Sequence, residues 1–143
     1  MLACATSCRA EQASGATLVR KCETYLYGAK GGLPPDQAAA DAAYCAAFID
    51  ATIAAARLAH ERRGLLQPNG VPPGKVDKRA YRAFAMSLGL GVDTCLPQGL
   101  TPWNVARQLR LMVSLNRELL WADELTTLRF VLSELYPCKG ASP

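Results

Sequence analysis

Cys95-Leu96-Pro97-Gln98-Gly99-Leu100-Thr101-Pro102-Trp103 opens a segment that closes on Tyr136-Pro137-Cys138, and this stretch decides the fold. Thr101 supplies a helix N-cap, and Pro102 occupies the first helical position, where its missing amide hydrogen costs nothing. Trp103, Ala106, Leu109, Met112 and Val113 follow at intervals of three and four, which predicts an amphipathic helix with Arg107 and Arg110 facing water. After a short break at Asn116-Arg117-Glu118, Leu125, Leu128, Val131, Leu132 and Leu135 repeat the pattern until Pro137 ends it. Helices joined so briefly run antiparallel, which places Cys95 and Cys138 side by side at the base of a hairpin. A bridge between them would stabilise the fold by about 4 kcal/mol in the chain-entropy model. The alternative is a pair of buried reduced thiols.

The chain has 143 residues, half of them hydrophobic but only 7% aromatic, and it is rich in alanine. That composition suits one domain of closely packed helices rather than a β-sandwich. Its net charge of +4 is mixed in sign along the chain, without a basic run, so nucleic acid is not the expected partner. No apolar stretch is read as reaching the length of a membrane span. Six cysteines with no C-x-x-C pair, and a single histidine, His60, match no zinc, iron–sulfur or thioredoxin pattern. They point instead to an oxidising compartment, and no cofactor or metal is expected.

Residues 1–13 lack a helical stripe and read as a flexible lead-in or the remnant of an export or lipoprotein signal, with Met1-Leu2-Ala3-Cys4 at its start. Cys4 and Cys8 are left to form a local bridge, to carry a lipid anchor at one of them, or to have no native role. A first helix is expected from about Ser14 to Gly28, with Leu18, Val19, Cys22, Tyr25 and Leu26 on one face. A glycine-rich turn leads to Pro34-Pro35-Asp36 and a long second helix reaching about Arg63, with Gly64 placed just past its end. Cys45 shares the inner stripe of that helix with Phe48, Ile49, Thr52, Ile53 and Ala56. Cys22 and Cys45 are nearly equidistant from the turn, so antiparallel packing sets them level and predicts a Cys22–Cys45 bridge.

Arg57, His60, Glu61, Arg62 and Arg63 make a charged last turn suited to the helix dipole. His60, the only histidine of the chain and without a convincing partner, is read as a weak candidate for metal ligand or general base. Leu65 to Lys75, with its prolines and glycines, predicts an exposed loop, and Asp77 caps a further helix through about Leu88. The whole reads as an all-α, small disulfide-stapled bundle of four to five helices over residues 14–138, with 139–143 as a tail.

No nucleophile elbow, paired-histidine motif or phosphate loop is present, and Asp41, Asp50, Asp93, Asp123 and Glu124 are scattered. The reading is a binding protein rather than an enzyme. Two exposed elements are candidates for partner contact: the proline loop, through Pro68, Asn69 and Val71, and the inter-helix turn, through Arg117, Glu118, Leu120 and Trp121. Trp and Arg are enriched at interface hot spots. The competing reading has Leu120 and Trp121 merely closing the end of the hairpin. Spare apolar surface would serve a homodimer.

Four segments together carry a resemblance: Leu18-Val19-Arg20-Lys21-Cys22, Tyr44-Cys45 with Phe48-Ile49-Asp50-Ala51, Cys95-Leu96-Pro97-Gln98-Gly99-Leu100-Thr101, and Leu132 to Leu135 with Tyr136-Pro137-Cys138. Over about Leu18 to Cys138 the chain resembles the Rap/Tai family of immunity proteins of bacterial type VI secretion. The resemblance implies a small, disulfide-bonded, often dimeric periplasmic protein that binds a peptidoglycan amidase effector and occludes its cysteine–histidine site with a loop. The family's turn usually carries Pro-Glu and a histidine, whereas here Arg117 precedes Glu118 and Trp121 takes the histidine's place. If the turn is recognised, that change implies a different toxin or none. The alternative function is a periplasmic helical ligand-binding or chaperone-like module without a toxin partner.

Overall fold

The computed structural model describes residues 13–65 and 94–138. The lead-in to residue 12 with Cys4 and Cys8, the proline loop with Pro68, Asn69 and Val71, the helix expected from Asp77, and the 139–143 tail lie outside the described residues. Among those described are four α-helices: α1 (Gly15–Tyr27), α2 (Pro35–Leu65), α3 (Pro102–Leu115) and α4 (Glu124–Leu135). A 3-10 turn, Arg117–Leu120, joins α3 to α4, and an isolated antiparallel bridge pairs Thr94 with Pro137. The protein is an all-α bundle stapled by two disulfides.

Three of the four helix starts are fixed by a side chain that satisfies an otherwise orphaned amide. Ser14 accepts from the Thr17 N–H, Thr101 from the Asn104 N–H, and Asp123 from the Thr126 N–H. The Thr126 hydroxyl also donates to Asp123, and these bonds hold the Asp123 carboxyl below the usual carboxylate range. α1 ends at Gly28, whose φ of 78° lies in the left-handed region that glycine enters without a Cβ clash.

The core is built from the stripes that the 3.6-residue period brings to one side. Leu18, Cys22 and Leu26 of α1 meet Cys45, Ile49 and Ile53 of α2. Val105, Ala106, Leu109 and Val113 of α3 close over them with Leu128, Val131 and Leu132 of α4. Cys22 and Cys45 are joined across the α1–α2 interface with Cα atoms 5.1 Å apart, and Cys95 and Cys138 across the hairpin base at 4.8 Å. Both expected pairings are present. One buried charge is compensated: Asp41 of α2 accepts from Arg20 of α1 at 2.8 Å and from Gln37 at 2.9 Å.

Four expectations change. Gly64 lies inside α2, which runs to Leu65; a glycine within a helix costs about 1 kcal/mol relative to alanine and is tolerated. Trp103 is 43% exposed, its ring edge-on to Tyr25 at 5.6 Å between centroids, while Val105 takes the core position. Leu125, in the first turn of α4, is 37% exposed, while Leu128, Val131 and Leu132 of the same stripe are buried. Finally, Pro35–Leu58 is long and apolar enough to cross a membrane, by length and composition. Here that helix serves the bundle, with Cys45, Ile49 and Ile53 buried and Cys45 bonded to α1.

Candidate functional site

The tip of the α3–α4 hairpin is shaped by short backbone bonds. Asn116 ends α3, its N–H and Nδ2 both donating to the Met112 carbonyl at 3.0 Å. The Leu119 and Trp121 N–H groups donate to Asn116 and Glu118 carbonyls at 3.1 Å, which winds the 3-10 turn. The turn is then pinned from behind by α1 and from the side of α4. The Gly15 N–H donates to the Ala122 carbonyl at 2.8 Å, and the Thr127 hydroxyl donates to the Leu119 carbonyl at 3.0 Å.

This wiring divides the four residues expected at the turn. Leu120 is half-buried and packs on the core, as does the fully enclosed Leu119, a contact that sequence reasoning missed. Arg117 and Glu118 are exposed, and Trp121 is 87% exposed. The hairpin end is therefore closed by the two leucines and not by the indole. Leu111 and Leu115, one turn apart on α3, are also exposed, so this end of the hairpin carries three exposed large apolar side chains together with the exposed charges of Arg117, Glu118 and Asp123. Chemically this is a contact surface: apolar area to desolvate, with charges at its rim.

A second group lies where α1, α2 and α4 meet. The Tyr44 hydroxyl donates to Oε2 of Glu124, the first residue of α4, which is buried; Glu124 Oε1 has no partner among the described residues. Tyr44 also stacks on Phe48, and the Lys21 ammonium sits 3.7 Å from the Tyr44 ring centroid. Burial first, then the hydrogen bond to Glu124 and its charge, push the Tyr44 hydroxyl up to about 12 from its ordinary 10.0. A raised phenol favours folding while it stays protonated. That contribution is intact below pH 10 and fades as pH rises toward 12. Ultraviolet titration should show one tyrosine ionising after the others, and Tyr44→Phe should remove that late step and flatten the alkaline loss of stability. All tyrosines titrating together would disprove the contact.

Glu124 and Tyr44 are eighty positions apart in sequence, and no local pattern links them. The same holds for His60, whose Nδ1 stands 4.0 Å from Cys95 Sγ. Among the described residues, His60, Cys95 and Cys138 form a group with metal-ligand chemistry. Comparison of the chain with protein-family models, with curated proteins and with solved structures finds no match. The disulfides indicate an oxidising environment of the kind met by exported proteins.

Proposed function

We propose that this protein is a periplasmic immunity protein that binds a type VI secreted peptidoglycan amidase and sterically blocks its active site, without chemistry of its own. The observation that carries the reading is Trp121, held 87% exposed on a turn that is hydrogen-bonded internally and pinned to α1. An aromatic presented on a fixed backbone loses little entropy on docking. The resemblance to the Rap/Tai family supplies the partner class and the compartment. The same reading makes the protein a homodimer, for which the outer face of α2, with Ala43, Ala47, Ala51 and Ala54 exposed, offers a surface of small side chains.

The test is hydrolysis of murein peptides by the amidase encoded beside this gene, with and without a stoichiometric amount of the protein. Complete inhibition with a complex of defined mass is expected. Trp121→Ala should weaken inhibition by about tenfold to a hundredfold, the range of a hot-spot aromatic, while leaving the urea midpoint unchanged because the indole contributes little to the core. Inhibition by the wild type with no loss in Trp121→Ala would discard the turn as the contact. No inhibition by the folded, oxidised wild type would discard the immunity reading itself.

A further inference from the structure

The two disulfides sit in opposite surroundings. Cys22 and Cys45 are 1% and 0% exposed, sealed between α1 and α2. Cys95 is exposed and Cys138 half-buried, and the exposed imidazole of His60, near the end of α2, lies against Cys95. One ring nitrogen of His60 and both sulfurs fall within 4.8 Å of one another. A small reductant therefore reaches this bridge before the other.

The three side chains are not kept together by the S–S bond alone. The Cys95 N–H donates to the Tyr136 carbonyl at 2.8 Å, and Thr94 pairs with Pro137. Arg57, one helical turn before His60, donates through Nη2 to the carbonyls of Pro97 and Gln98 at 2.9 and 3.0 Å. These bonds tie the end of α2 to the segment that follows Cys95, and they do not depend on the oxidation state of sulfur.

The geometry points to a redox-gated metal site, in which reduction of Cys95–Cys138 leaves two thiols beside His60 and this Cys2His set binds a thiophilic ion such as Zn2+, which replaces the disulfide as the staple of the hairpin. In the reduction a dithiol donor passes two electrons and two protons to the bridge and is itself oxidised to a disulfide. On binding, the two thiol protons leave, and two Zn–S bonds and one Zn–N bond form. Metal–sulfur bonds of about 2.3 Å require the sulfurs to part, a movement that Cys138, past the end of α4, is placed to make. The fourth position stays open to water. Nothing here depends on the immunity reading.

The experiment uses the full chain, oxidised or treated anaerobically with a phosphine, and Co2+ followed by Zn2+ as probes. The reduced protein should bind one Co2+ with a thiolate-to-cobalt charge-transfer band that Zn2+ abolishes, and the oxidised protein should show none. His60→Ala should weaken binding at least about tenfold, in line with loss of one of three protein ligands. Cys4→Ser/Cys8→Ser should leave it unchanged, and Zn2+ should shield Cys95 and Cys138 from alkylation. If reduction loosens the hairpin, Zn2+ should restore the helical circular dichroism of the wild type and not of His60→Ala. Absence of the charge-transfer band, undiminished binding by His60→Ala, or loss of binding in Cys4→Ser/Cys8→Ser would each overturn the proposal.

Discussion

Gly15→Ala is expected to destabilise the protein by about 3 kcal/mol, read as a lowered urea midpoint at unchanged slope. Helix propensity alone argues the reverse, since alanine inside a helix gains up to about 1 kcal/mol over glycine. Contact decides the sign. A Cβ at Gly15 would stand 1.9 Å from the Leu119 carbonyl oxygen and 2.7 Å from the Thr127 hydroxyl. The first is backbone, wound into the 3-10 turn and unable to swing aside. Relief requires α1 to move off the turn, which strains the Gly15–Ala122 bond, and the Thr127 hydroxyl to give way, which disturbs the Thr127–Leu119 bond. Each contributes about 1 kcal/mol net, beyond an overpacking cost of about 1–3 kcal/mol. The same separation would release the turn that presents Trp121, so Gly15→Ala should weaken partner binding along with stability. A midpoint that stays put or rises would show that α1 does not bear on the turn.

Gly15 also marks where the sequence stops being informative. The helices were legible because their signals are local: Thr101 as a cap, Pro102 and Pro35 near helix starts, and leucines and alanines at three- and four-residue spacing. Both bridges were legible by extension, since a short turn between two periodic stripes fixes the register in which cysteines meet. What failed depended on how far one element leans on another. Trp103 and Val105 both fit a helical stripe, and only the position of Tyr25 and the core decides that the valine goes in. Leu119 and Leu120 look alike in sequence, yet the 3-10 winding encloses the first and leaves the second half-covered. His60 seemed to lack a partner because Cys95 is thirty-five residues away and reaches it only once α2 has packed beside the hairpin base. The Tyr44–Glu124 pair is hidden for the same reason.

The buried bridge should matter more to folding than the surface one, although it closes the shorter loop. Loop length alone ranks them the other way: separations of 23 and 43 residues correspond to about 3.4 and about 4 kcal/mol in the chain-entropy model. Cys22→Ala/Cys45→Ala, however, also deletes two sulfur atoms from the fully enclosed α1–α2 interface, beside Leu18 and Ile49. Emptying that volume adds roughly 1–2 kcal/mol, since packed neighbours relax only partly around a void. The expected total is about 5 kcal/mol, against about 4 or less for Cys95→Ala/Cys138→Ala at the surface. For a domain whose net stability is of order 5–15 kcal/mol, the first loss removes from about a third to all of the stability. The second leaves a hairpin base still held by the Cys95–Tyr136 hydrogen bond and the Thr94–Pro137 bridge. Urea titration of the two double variants, followed by circular dichroism, ranks them directly. If the surface variant proves the weaker protein, loop entropy governs this fold and burial of the α1–α2 sulfurs does not. If the buried variant is weaker, the interface between α1 and α2 is the part of the fold on which the position of the hairpin, and of the turn at its tip, depends.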